Sequence, residues 1–375
     1  MFESEYKIKP EIEEQLIKNP YSTITNFAEE RLKFIGRRTF QFLSLQPISL
    51  ISPDIPFKET TVRTNFHFLL IAPPSSGKTS IHNLYQKVTF SPLSFQKMTS
   101  AQLAEELNGK GHTSLICSDA DRIFSDLEFI KLLEGIMEEK TVQRSNMTRQ
   151  RNYSTDCTIT FGCVPNSLRN GIKNGLIQRV IPYIYSNTPE QQIQIGEMTV
   201  NSMFHEDAII SYLDVKHYYK RIFEIQNEQN DDFKKVEGYI IDQPLRQKIY
   251  ELWNKCFEMG FPEDNQFNRE LHDIFRFLCA SAMLNMFTRK IENVGGKRMI
   301  VPNHLDFEVA KNLFIIEMGF KWHVAKLMGW LSGQNANIVN MYNSIKDNPR
   351  IQHGIKQLYK IHIDPRQVAQ KNQTS

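Results

Sequence analysis

Lys78, Thr79 and Ser80 stand directly after Gly77 in the run FHFLLIAPPSSGKTSI, Phe66 to Ile81. An ammonium beside a hydroxyl, where a chain turns into a helix, suits phosphate binding. Backbone N–H groups of the turn and the positive end of the helix dipole face the anion, the lysine reaches its outer oxygens, and the hydroxyl joins the shell of a Mg²⁺ ion. The pattern is AxxxxGKT, with Ala72 where a glycine is more usual; that position needs a small side chain more than a positive φ. The candidate contact set is Ala72, Pro73, Pro74, Ser75, Ser76, Gly77, Lys78, Thr79 and Ser80, with ATP and Mg²⁺ as the expected ligands. An ordinary strand–turn–helix connection uses the same residue types, so the flanking elements matter. Phe66–Ile71 is an apolar, β-prone run, and the chain from Ser80 onward has helical character, which is the order a phosphate cradle requires.

A second acid is needed to hold the metal shell and orient water. HTSLICSDADRIF, His112 to Phe124, supplies a strand that ends in acid. Two registers are open. Asp119 is the metal-side acid and Ala120 stands where a glutamate is expected, or Ser118 replaces the metal-side acid and Asp119 takes the glutamate position, with Asp121 next in line. Asp119 is essential in both, and both lack the usual Asp-Glu pair, so hydrolysis is expected to be slow. Asp119 and Asp121 are also compatible with helix N-caps.

Downstream, Phe129, Leu132, Leu133, Ile136 and Met137 share a helical face. Thr141–Gln143 and Cys157–Phe161 read as strands, joined by a polar segment bearing Arg144, Arg149 and Arg151, which predicts a hairpin with a cationic tip. From Thr141 to Arg179 there are six basic residues and one acid, Asp156, in a chain whose net charge is only +3. Such one-sidedness points to a polyanion, although charge runs are often solvated surface.

Taken together these segments resemble AAA+ ATPases, most closely the motor domain of the minichromosome maintenance (MCM) helicases. EGIMEEKTVQRSNMTRQRNYSTDCTITFGCVP resembles that family's helix, pre-sensor-1 hairpin and following strand. The resemblance puts Asn146 at the DNA-contacting tip position, without the family's lysine, flanked by Arg144, Arg149 and Arg151. NGLIQRVIPYIY looks like the element that carries the arginine finger, which makes Arg179 the cation inserted into a neighbouring subunit's site; capping a strand or pairing with an acid is the other reading. A gap-free match puts Val164 at sensor 1, and polar Asn166, two residues on, is the candidate, a turn asparagine after Pro165 being equally compatible. FNRELHDIFRFLCASAML, Phe267 to Leu284, resembles the lid helix with sensor 2 at Arg269; Arg276, seven residues on, reads as a salt-bridged residue more than as a phosphate ligand. VPNHLDFEVAKNLF resembles the closing lid helix. The segment from Lys78 to Asp119 is too short for the family's helix-2 hairpin, and no OB-fold or zinc-binding domain precedes the core, so a compact relative is implied.

The expected fold is α/β, an AAA+ P-loop three-layer αβα core with a parallel sheet, followed by a helical lid. The divisions are a helical segment at 1–60, the ATPase core at 61–190, the lid at 191–325 and a basic tail at 326–375. In the first, Glu11–Ile17 and a stretch starting near Asn26, with Glu29 completing a capping box, read as helices, and Pro47, Pro53 and Pro56 break the chain beyond them. Ile24 or Phe27 would line a base pocket or pack in the core. The five scattered cysteines include no CxxC pair, so neither a zinc site nor a disulfide framework is indicated. No apolar run reaches the ~18 residues of a membrane span, and a cytoplasmic location is expected. The implied activity is ATP hydrolysis driving a DNA translocase or helicase, on single-stranded or forked DNA, in a homo-oligomeric ring, expected to be a hexamer. A non-translocating AAA+ switch or remodeller with a replication protein as partner is the alternative, and a DNA-binding module without hydrolysis the third.

Overall fold

The computed structural model describes residues 6–32, 36–57, 60–139, 141–146, 149–164, 167, 176–185, 192–197, 209–227, 233–258 and 267–332. A five-stranded sheet organises the chain. Its strands are β3 (Phe68–Ile71), β4 (Pro92–Ser94), β5 (Thr113–Cys117), β8 (Cys157–Cys163) and β9 (Ile181–Ile184), in the order β4-β5-β8-β3-β9. Every neighbouring pair is parallel, with Phe68 opposite both Thr160 and Ile181, and Thr113 opposite Cys157. β3, β5 and β8 are buried along their whole length. Strands covered on both faces favour apolar residues throughout, as FLLI of β3 has, while β5 and β8 also bury Thr113, Ser114, Thr158 and Thr160.

Alternate strand residues feed two separate cores. Phe68, Leu70, Ile116, Ile181 and Tyr183 join one cluster with Ile81, Tyr85 and Val88 of the helix α5 (Lys78–Val88). Leu69, Ile71, Leu115, Cys117, Ile159 and Phe161 join the other, with Leu103 and Leu107 of α6 (Ser100–Leu107) and Phe129, Leu133 and Ile136 of α7 (Leu127–Glu139). The period-2 alternation thus produces helix, sheet and helix layers, the three-layer α/β core expected. Between Lys78 and Asp119 the chain holds only α5, β4, α6 and β5.

The first core is shared with both flanking helical regions. α1 (Pro10–Lys18), α2 (Pro20–Leu32), α3 (Gly36–Leu43) and α4 (Gln46–Ile51) contribute Leu16, Ile24, Phe27, Phe40, Phe42 and Ile48. α2 begins at Pro20, not near Asn26: Pro20 fixes a helical φ at the first position, and Thr23 and Thr25 bond back to Asn19 and Tyr21 carbonyls inside the helix. Phe34 and Ile35, the end of the expected helix, lie outside the described residues. Pro47 opens α4 and does not break structure, because its missing N–H falls in the first turn. Ile24 and Phe27 are fully buried in the core. Pro56 lies in a small antiparallel pair, β1 (Ile55–Phe57) with β2 (Thr60–Val62).

Residues after 209 form α8 (Tyr212–Gln226), α9 (Gln243–Glu258), α10 (Phe267–Leu284) and α11 (His304–Ser332). The region also holds a three-stranded sheet, of β10 (Gly238–Tyr239), β12 (Lys297–Val301) and β11 (Lys290–Val294), in which the last two form a short hairpin around residues 294–297. Gly295 and Gly296, at φ 58° and 81°, make the turn between β11 and β12. This unit is fastened to the rest of the molecule. Phe277 stacks edge-on against Phe42 and Phe66, and the buried Tyr219 hydroxyl donates to Ser44 O at 2.9 Å. Arg289 and Asp306, nearly fully buried, pair at 2.6 Å where α11 starts, and Asn303 and Asp306 cap each other's N–H groups there. Cys117, Cys157, Cys163 and Cys279 are free and buried, as small core residues. Among the described residues no helix is long and apolar enough to cross a membrane. Of the tail, the helix runs to Ser332, and 333–375 lie outside the described residues.

Two buried histidines make the core acid-sensitive. Burial pushes His67 down to about 3 and His82 to about 4, with nearby arginines or Lys78 acting in the same direction. His67 Nδ1 accepts the Ile159 N–H at 3.1 Å, a bond only the neutral ring makes. Folded pKa values below the unfolded 6.5 mean that the unfolded chain binds more protons as pH falls from 6.5 toward 4. Their contribution is therefore present at neutral pH and drains away on acidification. At pH 5 each histidine is expected to cost about 2 kcal/mol. Urea unfolding at neutral pH and at pH 5 measures it; a His82→Leu variant should lose about half of that pH dependence.

Candidate functional site

The loop after β3 has the backbone a phosphate cradle needs. Ser75 (φ 59°) and Gly77 (φ 90°) both take left-handed conformations, which turn the chain sharply into α5. Ala72 shows no positive φ and is fully buried, with its N–H donating to Cys163 O of β8, so smallness is the requirement it meets. Gly77 caps α5 without a side-chain bond, and the first turn contains no acid. The N–H groups of Lys78, Thr79 and Ser80 therefore begin a helix whose positive end is not answered by a carboxylate of that turn. Lys78 Nζ donates to Ala72 O at 2.7 Å and Pro73 O at 2.8 Å. Burial lowers its pKa, against an opposing pull from Asp121 and Asp119. A partly buried ammonium, helix donors without a side-chain cap and two exposed residues with hydroxyls, Thr79 and Ser80, fit a bound polyphosphate. Among the described residues no three His, Cys, Asp or Glu side chains form a metal cage; Mg²⁺ carried on phosphates binds through one or two protein groups and water.

β5 ends at Cys117, so Ser118 is the first residue past the strand and Asp119 the second. Ser118 Oγ donates to Gln96 Oε1 at 2.7 Å. Asp119 is exposed, and its carboxylate accepts the Asp121 N–H at 3.4 Å. Ala120 is fully buried and donates its N–H to Gly162 O at 2.7 Å, so no side chain at that position faces the loop. Neither acid caps a helix. That role falls to Asp126, whose Oδ1 accepts the Phe129 N–H at the start of α7. Asp121 Oδ1 instead accepts the Val164 N–H at 3.2 Å, fixing the end of β8 beside the loop.

Three further residues support the loop: Asp121, already named beside Asp119, and Tyr185 and His82, which the sequence reading did not place there. Asp121 does so through that bond to Val164. Tyr185, directly after β9, donates its hydroxyl to Ser76 O at 3.0 Å and buttresses the loop from the far side. His82, one turn past Lys78, packs on Gly162 of β8. A Cβ at Gly162 would lie 2.6 Å from the His82 ring and 2.7 Å from Ser118 O, so this glycine is what lets α5 approach the acid-bearing strand. Of Tyr185 and His82, Tyr185 gave a sequence signal, as the polar end of an apolar strand.

The loop, Asp119, Asp121 and Val164 all lie at the carboxyl ends of their strands, where open parallel sheets bind ligands. Arg179 does not. It precedes Ile181, which is paired with Phe68 at the amino end of β3. The three-residue rise from Phe68 to Ile71, about 10 Å, separates it from its own loop. There Arg179 Nε donates to Glu138 Oε1 at 2.8 Å and Nη1 to Glu134 Oε1 at 3.1 Å, the reading in which it pairs with acids of its own chain. Arg276 donates to Asp273 and to Arg63 O, the salt-bridged role expected of it. Arg269 sits in the first turn of α10. Asn166, the sensor-1 candidate, lies outside the described residues.

The basic segment also differs from the expected hairpin. β6 (Thr141–Asn146) pairs with β7 (Arg149–Ser154), and Cys157–Cys163 belongs to the main sheet. The run at 157–163 is buried on both faces and so was never half of a solvated ribbon, whereas 141–154 is mostly polar. The arginines are thus in the ladder and not beyond it: Arg144 is opposite Arg151, and Asn146 opposite Arg149. Directly paired residues share a face, so positions 144, 146, 149 and 151 lie on one face of the ribbon, and 143, 145, 150 and 152, none of them charged, on the other. The tip, 147–148, is outside the described residues. The ribbon leaves the core at the amino ends of the strands, between α7 and Cys157. No protein-family profile and no curated protein matches the chain.

Proposed function

We propose that this chain is an ATP-hydrolysing subunit of a ring-forming DNA translocase or helicase of the AAA+, MCM-like type. The observation that carries the reading is the separation of parts on one sheet. Cradle and acids stand at the carboxyl ends of the strands; Arg179 and the arginine-faced ribbon stand at the amino ends. The arginine at the amino ends is out of reach of the γ-phosphate site in its own copy. Adjoining copies arranged head to tail bring it there, and a closed ring of them points all ribbons into one channel. Lys78 and Thr79 would hold ATP with its Mg²⁺, Asp119 would orient the attacking water, Arg179 and Arg269 would approach from the interface, and Arg144, Arg149 and Arg151 would take DNA phosphates. The metal supplies charge neutralisation on the phosphates.

A slower, non-translocating switch is the second reading. It is favoured by Ser118, which is bonded to Gln96 at the position of a metal-side acid. Hydrolysis measured with and without single-stranded DNA, alongside strand displacement on a forked duplex, separates the two. The translocase reading expects DNA-stimulated turnover and unwinding, both lost in Lys78→Ala. Nucleotide-dependent assembly with slow, DNA-insensitive turnover supports the switch and overturns the translocase.

A further inference from the structure

Arg179 is held by two carboxylates one turn apart on α7. Its side chain is 20% exposed and that of Glu134 23%, so the first contact is partly shielded from water, while Glu138 is more open. Leu176 and Val180, on either side of the arginine, are buried in the same core as α7, which fixes the backbone from which it reaches. α7 ends at Glu139, and the first ribbon strand begins at Thr141. The clasp therefore joins the cation at the amino ends of the sheet to the root of the arginine-faced ribbon.

A guanidinium bonded to two carboxylates has its charge answered, and its donors aimed at them. Nε and one Nη donor are committed to α7, so reaching a phosphate beyond its own chain requires the side chain to leave these carboxylates. We propose that Glu134 and Glu138 form a holding site for Arg179, from which a neighbouring subunit's nucleotide draws it, and that this exchange releases the α7 end bearing the ribbon. The inference rests on the reading of Arg179 as an intersubunit cation. It implies two states. In a lone subunit the arginine lies on α7 and the ribbon root is braced. In an assembled pair it lies on phosphate, Glu134 and Glu138 lose this contact, and the end of α7 relaxes. Nucleotide state at one interface is thereby coupled to the DNA-facing ribbon of the subunit that lends the arginine. Glu134 and Glu138 are positioning residues; neither touches nucleotide.

The test compares the full chain with Glu134→Gln/Glu138→Gln, and with Glu138→Gln alone as the milder, more exposed change. Sedimentation in a non-hydrolysable ATP analogue gives the protein concentration at half-assembly, and hydrolysis is followed with and without single-stranded DNA. Removing the competing carboxylates should lower the assembly midpoint by about threefold to tenfold, raise hydrolysis at low protein concentration in step, and bring DNA stimulation toward unity. An unchanged midpoint and DNA ratio reduces the clasp to a surface ion pair. A fall in hydrolysis to the level of Arg179→Ala also overturns the holding role. Mixing Lys78→Ala with Arg179→Ala subunits in the same series separates the two failures. If the mixture stays inactive, the intersubunit reading falls and the holding site with it. If it recovers activity while the glutamine variants behave as the parent, the holding site alone fails.

Discussion

Arg179→Ala is expected to bind ATP as the parent does and to hydrolyse it about a thousandfold more slowly. Binding is expected to survive because the proposed phosphate loop stands between β3 and α5, at the opposite ends of the strands from Arg179. Hydrolysis falls because charge gathers on the transferring group only in the transition state, where a guanidinium from outside the loop has its effect. Lys78→Ala is expected to fail in the complementary way, keeping Arg179 but losing the ammonium now held over Ala72 O and Pro73 O. An equal mixture should regain a measurable share of parental turnover, since some interfaces then pair an intact loop with an intact arginine. Calorimetry with an ATP analogue and steady-state hydrolysis across mixing ratios provide the check. Loss of binding in Arg179→Ala would instead mark the arginine as part of the fold. A mixture with no recovery, from subunits that are folded and assemble, would rule out sharing across an interface.

The parts of this arrangement carried by local pattern were legible in the sequence. The strand–turn–helix order around Gly77, the strand that ends in acid and the amphipathic face of α7 derive from residue spacing, and the structure has a strand, turn and helix at those places; the segment Phe267–Leu284, read by resemblance, is also a helix. Pairing between distant segments was not legible. Cys157–Phe161 looked like the partner of Thr141–Gln143 because both are β-prone. Only the sheet shows that the former is buried on two faces and the latter belongs to a ribbon. The start of α2 was misplaced because Asn26 and Glu29 mimic a capping box inside a helix that Pro20 had already begun. Asp121 was weighed as a cap, yet it bonds the end of a strand 43 residues away in sequence. Tyr185 and His82 act through Ser76 and Gly162, contacts that no local periodicity encodes. The sharing of one core by α1–α4, the sheet and the helices after 209 is equally non-local.

Replacing Arg144, Arg149 and Arg151 together by alanine is expected to remove most of the salt-dependent affinity for single-stranded DNA. Three phosphate contacts on a single strand give a slope of about −2 in log K against log salt, so a fourfold rise in salt weakens the parent roughly twentyfold by this route. The variant should bind weakly at low salt and show a correspondingly flatter slope. The register adds a second expectation that separates lost contacts from lost structure. Arg144 lies directly opposite Arg151, and like charges at paired positions destabilise a ribbon. Their removal should leave the thermal unfolding midpoint unchanged or slightly raised, so a weak binder that is also unstable would point to a different defect. The uncharged positions 145 and 150, paired on the other face, are the control: Ser145→Ala/Gln150→Ala should bind DNA as the parent does. Anisotropy titrations across salt, with all three proteins, measure slope and affinity together. If the triple variant keeps the parental slope, the arginine face is not where the strand lies. A polyanion contact would then have to be sought elsewhere on the chain.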